Sequence, residues 1–469
     1  MFQQHSQSAA NVPNEGSIRR RSTIPHAPRA MIQGPLPALD PLLERIQQDE
    51  VRRLYPRLAM FEALSGFKDR HQPRMQLPDT IGEARRDFLD SFSYLCDVEK
   101  GGKAVTAAAL QQLPMSNFLW LAANEGIRDD ILRYAQEMLV LAKRATPENM
   151  CAIQTSILEL AVEHCNHRIQ FYKTKVHEYA KRCRMELRRR DRIDIVKMLR
   201  TKLKRLSEPP NNLTVAAYID LCYDMRSTEI DHVKGFSSNA DDDFRKIAHF
   251  LWRLSATRSH VNRVVEAMIT VPSLRRISTI RPVSAPEVLE KTIHRSCLSP
   301  YQVLHRIVAE STSQNPVQSQ HAFSKLYQLD PPLTTPIFNK MASREHIVTR
   351  VHAELQIADM FSRSQDMKFV DSDKYIGCSK EACYFCYAWL SNHHDRYVPP
   401  ATHYKIIPGC RGPGDRLNEK GAGVLIDMYS KISGQVGQDI FDFLQHNAQP
   451  VHQYMSTEAP SHAPSLVHP

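Results

Sequence analysis

The spacing of apolar residues is helical from Leu39 onward. In IGEARRDFLDSFSYLCDVEK, Phe88, Phe92 and Leu95 recur at intervals of four and three, with Ile81 two turns earlier, which predicts one buried helix face. Gly101-Gly102 breaks it. Helical patterns are read next in VTAAALQQL, in NEGIRDDILRYAQEMLVLAKR and from about Asn149, with Pro114 and Pro147 marking connections. From near Ser156 a single long helix is predicted. Ile169, Tyr172, Val176, Tyr179 and Cys183 line one side, and Ile193, Val196, Leu199, Leu203 and Leu206 continue it with a shifted phase up to Pro209-Pro210. Two more helices follow, in NLTVAAYIDLCYDM and DFRKIAHFLWRLSATRSHVNRVVEAMI. Residues 35–270 therefore read as an all-helical domain.

Residues 271–295 mix prolines, serines and scattered cations and read as a linker or surface loop. A helix is predicted from about Ser299 to Ser311, then a polar Ser/Gln stretch. Beyond Pro336 the texture changes. HIVTRVHAELQIADMFSR gives a short apolar approach and a helix, KYIGCS a strand, CYFCYAWLSN a helix, HYKIIPGC a short strand and VLIDMYSKISGQVGQDIFDFLQ a last helix. Alternating strands and helices predict an α/β domain over residues 296–446.

Composition sharpens the limits of this layout. The chain has 469 residues, 42% of them hydrophobic, enough for substantial cores. No stretch approaches the roughly 18 apolar residues of a membrane span, and MFQQHSQSAANVPNEGSIRR lacks a signal-peptide core, so an intracellular, soluble protein is expected, in cytoplasm or nucleus. Residues 1–34 and 447–469, rich in Ser, Gln, Pro and His, are expected to be a disordered basic arm and a disordered tail. The net charge of +10 first suggests nucleic acid. Lys181–Arg205, however, carries twelve Lys or Arg against three acidic residues and holds nearly all of it. The bland reading of this run is a solvated helix face. The functional one is a phosphate-binding patch built on Arg188, Arg189, Arg190 and Arg192.

Of ten cysteines, six lie far apart among apolar neighbours and read as buried thiols of a reducing compartment. The other four, Cys378, Cys383, Cys386 and Cys410, gather near the C-terminus. Cys383 and Cys386 form the chain's one CxxC, on the first turn of a predicted helix, and His352 opens another helix 31 residues earlier. One imidazole and two thiolates leave a tetrahedral position open, the pattern of a catalytic zinc. Helix N-termini favour thiolates because their unpaired amide N–H groups point at the sulfur. Glu354, two residues after His352, is then the candidate proton carrier. Each part has an ordinary explanation: HxE is common by chance, and CxxC also occurs as a redox pair or as core. Cys378 could replace one ligand but is more simply a buried strand thiol. His393, His394, His403 and Cys410 read as surface residues or as supports of the site rather than as ligands.

HAELQ…YIGCSKEACYFCYAWL, preceded by FLDSFSYLCDVEKGG, resembles the fungal OTT_1508-like deaminases of the zinc-dependent cytidine deaminase-like superfamily, whose signature is H-x-E followed by P-C-x-x-C. The resemblance implies a three-layer α/β/α domain with a mixed sheet. It implies zinc held by His352, Cys383 and Cys386, Glu354 as proton shuttle, and hydrolytic deamination of a nucleobase as a free base, nucleoside, nucleotide or nucleic-acid base. Ala382 stands where the signature has proline, which alters only the turn into the helix. Asn339 and Tyr384 are candidate substrate contacts, with a turn role open for the first, while Trp389 reads as core. The competing reading is a catalytically inactive zinc scaffold that binds protein or nucleic acid through the helical region.

Overall fold

The computed structural model describes residues 46, 48–64, 71–188, 194–226, 229–237, 242–310, 315–364, 366–414 and 419–446. The arm, the tail, Arg189, Arg190 and Arg192 lie outside the described residues. Helices α1 (Tyr55–Ala63) and α2 (Thr80–Cys96) precede a hairpin of β1 (Thr106–Gln112) and β2 (Asn117–Ala123). Then come α3 (Asp129–Lys143), α4 (Met150–His164), α5 (Asn166–Leu187), α6 (Asp194–Ser207) and α7 (Asp243–Thr270). Strands β3 (Ile277–Pro282), β4 (Leu289–Thr292) and β5 (His346–Thr349) lead into α8 (Ala353–Arg363). The order closes with β6 (Lys368–Phe369), β7 (Gly377–Cys378), α9 (Tyr384–Asn392) and α10 (Glu419–Gln445). A largely helical N-terminal region thus accompanies a mixed sheet flanked by helices, as the fold class anticipated. No helix among the described residues is long and apolar enough to cross a membrane.

The sheet runs β3-β2-β1-β6, with β7 also on β1. β2 and β3 are parallel; β1 is antiparallel to β2, β6 and β7. Successive side chains of β1 enter different cores. Ala108 and Leu110 pack with Phe88, Phe92 and Tyr134 from α2 and α3, whereas Ala107 and Ala109 pack with Leu355, Ile357 and Phe361 of α8. A strand covered on both faces shows a continuous apolar run instead of alternation. That corrects the helix expected in VTAAALQQL: a short apolar run does not separate a buried strand from a helix, and alanine's helix propensity tips the reading the wrong way.

Three further expectations change. The linker assigned to 271–295 contains β3, which pairs with Asn117–Leu121 of β2, and β4, which pairs with β5. Pro282 ends β3 at the sheet edge, while Pro272 opens the short helix Pro272–Arg275 and Pro286 lies between β3 and β4, so none interrupts a central ladder. HYKIIPGC forms no strand; it carries an isolated bridge at Cys410, and Thr402 just before it bridges to Gln72 and Ala382, with Pro408 between the two positions. The polar Ser/Gln stretch becomes the helix Pro316–Leu329, capped by Asn315 through the N–H of Val317.

The long basic helix is also divided. α4 ends at His164, α5 at Leu187, and α6 begins at Asp194. The phase shift in the apolar pattern is the sequence trace of that last break. Cys183 and Leu187 of α5 and Val196, Leu199 and Leu203 of α6 share one core.

Candidate metal centre

His352 is the N-cap of α8 and Cys383 the N-cap of α9, so two helix N-termini converge on the same point. Cys386 follows one turn into α9, which brings it to the Cys383 side of the helix. Cys410 is the fourth member. The ligand atoms of His352, Cys383, Cys386 and Cys410 all lie within 4.8 Å of one another, and all four residues are buried. His352 Nδ1 is 3.6 Å from Cys383 Sγ and 3.3 Å from Cys386 Sγ, and Cys386 Sγ is 3.5 Å from Cys410 Sγ. Zinc–sulfur and zinc–nitrogen bonds of about 2.3 and 2.0 Å imply tetrahedral edges of about 3.8 Å (S···S) and about 3.5 Å (S···N). The donor set and its spacing fit a metal ion.

The electrostatics agree. Burial pushes the Cys383 thiol up, but hydrogen bonds from Cys386 and Cys410 and the His352 imidazole bring it well below its ordinary value. Burial and the charge on Cys383 raise Cys386 far above that range and Cys410 to about 12. Burial works against a charged His352, yet the Cys410 and Cys383 sulfurs raise it well above an ordinary histidine. One thiolate paired with one imidazolium is as much charge as the cluster holds unaided. A dication makes further thiolates compatible.

Glu354 stands inside the first turn of α8 and is 4% exposed. Burial raises it above the usual carboxylate range, while His352 and the nearby Cys386 pull the other way. Cys378 is outside the four-donor cluster: from β7 it points its Sγ at Glu354 Oε2, 4.0 Å away.

Elements distant in sequence place these groups. Asn124, at the end of β2, accepts the Ala353 N–H at 2.8 Å, and Gln356 donates to the carbonyls of Ala123 and Val351, which pins the start of α8 to the sheet. From α2, Asp90 accepts Tyr375 Oη at 2.7 Å and the Cys378 N–H at 3.1 Å. Asp97, just past α2, accepts Ser379 Oγ at 3.0 Å. The FLDSFSYLCDVEK segment thereby holds the approach to the CxxC. Gly377 is required at that approach, because a Cβ there would sit 2.5 Å from the Leu89 backbone.

Along the chain Cys410 reads as a support of the site because it lies beyond the CxxC helix; in the fold its sulfur joins the cluster. The connection is an isolated bridge between Arg350 and Cys410. The available signal was GCRG, a cysteine between two glycines. A Cβ at Gly409 would lie 2.5 Å from the Val348 carbonyl oxygen, and one at Gly412 would lie 2.5 Å from the Trp389 ring.

The remaining candidates are elsewhere. Asn339 is exposed in the short helix Pro336–Ala342 and donates to the Thr334 carbonyl. Tyr384 is 1% exposed, edge-on to Phe61, with its hydroxyl on Asp439. Trp389 packs on Phe385 and Tyr429. His403 is half-buried, and burial lowers it despite nearby Cys383. His393 and His394 lie beyond α9 with Asp395. Arg188 is exposed just past α5. A cavity of about 950 Å³ opens at the other end of α8, lined by Phe361, Ser362, Arg276, Lys368 and Tyr397, and does not include the donors.

The family model for an OTT_1508-like deaminase matches residues 351–413, a small part of the chain that contains all four donors and Glu354. No curated protein and no solved structure matches the chain.

Proposed function

We propose that this protein is a zinc-dependent hydrolytic deaminase acting on a nucleobase, nucleoside, nucleotide or nucleic-acid base, and that it works inside the cell. The observation that carries the reading is Glu354, a buried carboxyl beside a His/Cys cluster at two helix N-termini, within the span similar to deaminases. His352, Cys383 and Cys386 would hold the ion. Zinc supplies Lewis acidity there, which makes a water nucleophilic at neutral pH. Glu354 would take one proton from the attacking water and give it to the ring nitrogen, then carry the second, released as the new hydroxyl becomes a carbonyl, to the departing amine, so that carbon–oxygen bond formation is matched by carbon–nitrogen cleavage and ammonia release. Burial suits it to this role, since a carboxyl whose proton affinity is raised takes up the water's proton more readily than an ordinary carboxylate and holds it until a more basic nitrogen accepts it. The α9 N-terminus, where Cys383 is the N-cap, favours that sulfur as the thiolate.

A second reading is favoured by one observation, the presence of Cys410 among the donors. Four protein ligands describe a structural zinc, and the protein would then be an inactive scaffold that binds protein or nucleic acid. A mass-spectrometric screen of nucleosides, nucleotides and single-stranded RNA and DNA separates the two, run with wild type, Glu354→Ala and Cys410→Ala. The deaminase reading expects a product about one mass unit heavier that disappears in Glu354→Ala while zinc stays bound. Turnover that survives Glu354→Ala removes the proposed shuttle. Absence of turnover in both wild type and Cys410→Ala moves the assignment to the scaffold.

A further inference from the structure

We infer that Cys410 is a fourth protein ligand of the metal, so that the centre is coordinatively closed in the resting protein and its opening controls access to the chemistry. The inference rests on the zinc reading above and concerns how that same site is regulated. Its basis is geometric. Cys410 Sγ is 3.5 Å from Cys386 Sγ, near a tetrahedral edge, and is fully buried within a cluster whose donor atoms span no more than 4.8 Å.

The segment around Cys410 is built to keep the sulfur there. Arg350 N–H donates to the Gly409 carbonyl at 2.9 Å, and Arg411 N–H donates to the Arg350 carbonyl at 3.0 Å, so Cys410 is bracketed on the strand that delivers His352 two residues later. Cys410 N–H closes a turn onto the Ile407 carbonyl at 3.0 Å. Gly409 fits against the Val348 carbonyl and Gly412 against the Trp389 ring, where any side chain would collide. Arg411, 3% exposed, donates to the Glu287 carbonyl at 2.7 Å, and the Gly412 N–H donates to the Tyr429 hydroxyl at 3.0 Å. A thiol that merely filled core would not need its backbone fixed from both sides at the height of three other donors. With four protein donors, a tetrahedral ion has no position left for a fifth group, and hydrolysis requires that Cys410 yield its place.

X-ray absorption at the zinc edge of the purified full chain tests this without depending on activity. Sulfur at about 2.3 Å and nitrogen or oxygen at about 2.0 Å are distinguishable shells. Wild type should show three sulfurs and one light atom. Cys410→Ala should show two sulfurs and two light atoms, and should lose its zinc to a chelator at least about tenfold more readily. Cys410→Ser, which preserves side-chain volume, should give the same shell count and covers the case in which the alanine variant does not fold. Two sulfurs and two light atoms already present in wild type would overturn the inference and leave the deaminase reading standing. Wild-type protein that folds without zinc would overturn both.

Discussion

The donor cluster and the basic segment invert each other between sequence and space. Lys181–Arg205 is the loudest feature of the sequence, yet its described residues divide between the end of α5 and α6, and four of its cations meet acidic side chains. Arg182 meets Glu178 and Asp243, Arg184 meets Glu208 at 2.6 Å, Lys197 meets Asp194, and Lys202 meets Glu229. The four candidate donors are spread from residue 352 to 410 and their ligand atoms converge within 4.8 Å. The difference has a physical cause. Consecutive residues on a helix fan out around its axis, so a charge run disperses. Donors at helix N-caps and at a strand bridge sit at chain ends and turns, which point several segments at one spot.

The largest effect should come from breaking that convergence at its centre. Cys386→Ser removes a fully buried donor. It should abolish zinc retention and lower the melting temperature by about 5 °C or more, since losing a ligand present at about a thousand times its Kd removes about 4 kcal/mol. Chelation of the wild type should reproduce the shift. A variant that retains one zinc per chain and melts normally would mean that the cluster is ordinary core.

If distant elements hold the donors together, a change far from them should also matter. Gly377→Ala puts a Cβ 2.5 Å from the Leu89 backbone, where neither partner can rotate away. It should cost about 2–3 kcal/mol in denaturant unfolding. Gly102→Ala, with nothing within 4 Å, should be close to neutral. Equal effects would show that β7 is not pressed against α2 as described.

His352 and His393 extend the contrast to protonation. The sulfurs of Cys410 and Cys383 raise the first, whereas burial, helped by His394, lowers the second to about 4, with Asp395 opposing and Lys374 and Lys431 adding to the fall. In the unfolded chain His393 titrates near 6.5, so the unfolded state binds more protons between about pH 6.5 and 4. Stability therefore falls as pH drops through that window, by up to about 3 kcal/mol at its lower end. His393→Gln should flatten the acid slope of the urea midpoint relative to wild type at matched pH. An unchanged slope would place the acid sensitivity elsewhere.

What could be read in advance follows the same division. His352, Glu354, Cys383 and Cys386 were legible because each pair is set by a fixed local offset, and their helix starts are marked by the texture around them. Cys410 was not, because its place depends on the Arg350 bridge, a contact across 60 residues. β1 was hidden because its two faces enter different cores, which erases the alternation that identifies a strand. Asn124, Asp90 and Asp97 look like ordinary polar residues along the chain, and only the fold shows that they anchor the approaches to the donors.

The smallest effect should come from the feature that looked largest. If the basic run were a phosphate surface, neutralising Arg188, Arg189, Arg190 and Arg192 together would weaken single-stranded RNA binding and lower its log–log salt slope by about one for each lost contact. The neighbouring cations argue for a weaker outcome. Arg182, Arg184, Lys197 and Lys202 already meet acidic side chains, so four of the eight cations beyond those arginines are engaged within the protein. The quadruple Arg→Ala variant should therefore change affinity for RNA or DNA by less than about threefold at moderate salt, with unfolding unchanged. Filter binding across a salt series decides it. A loss of tenfold or more, accompanied by a shallower slope, would restore the segment as a nucleic-acid contact and would favour a polymeric substrate for the centre near Glu354.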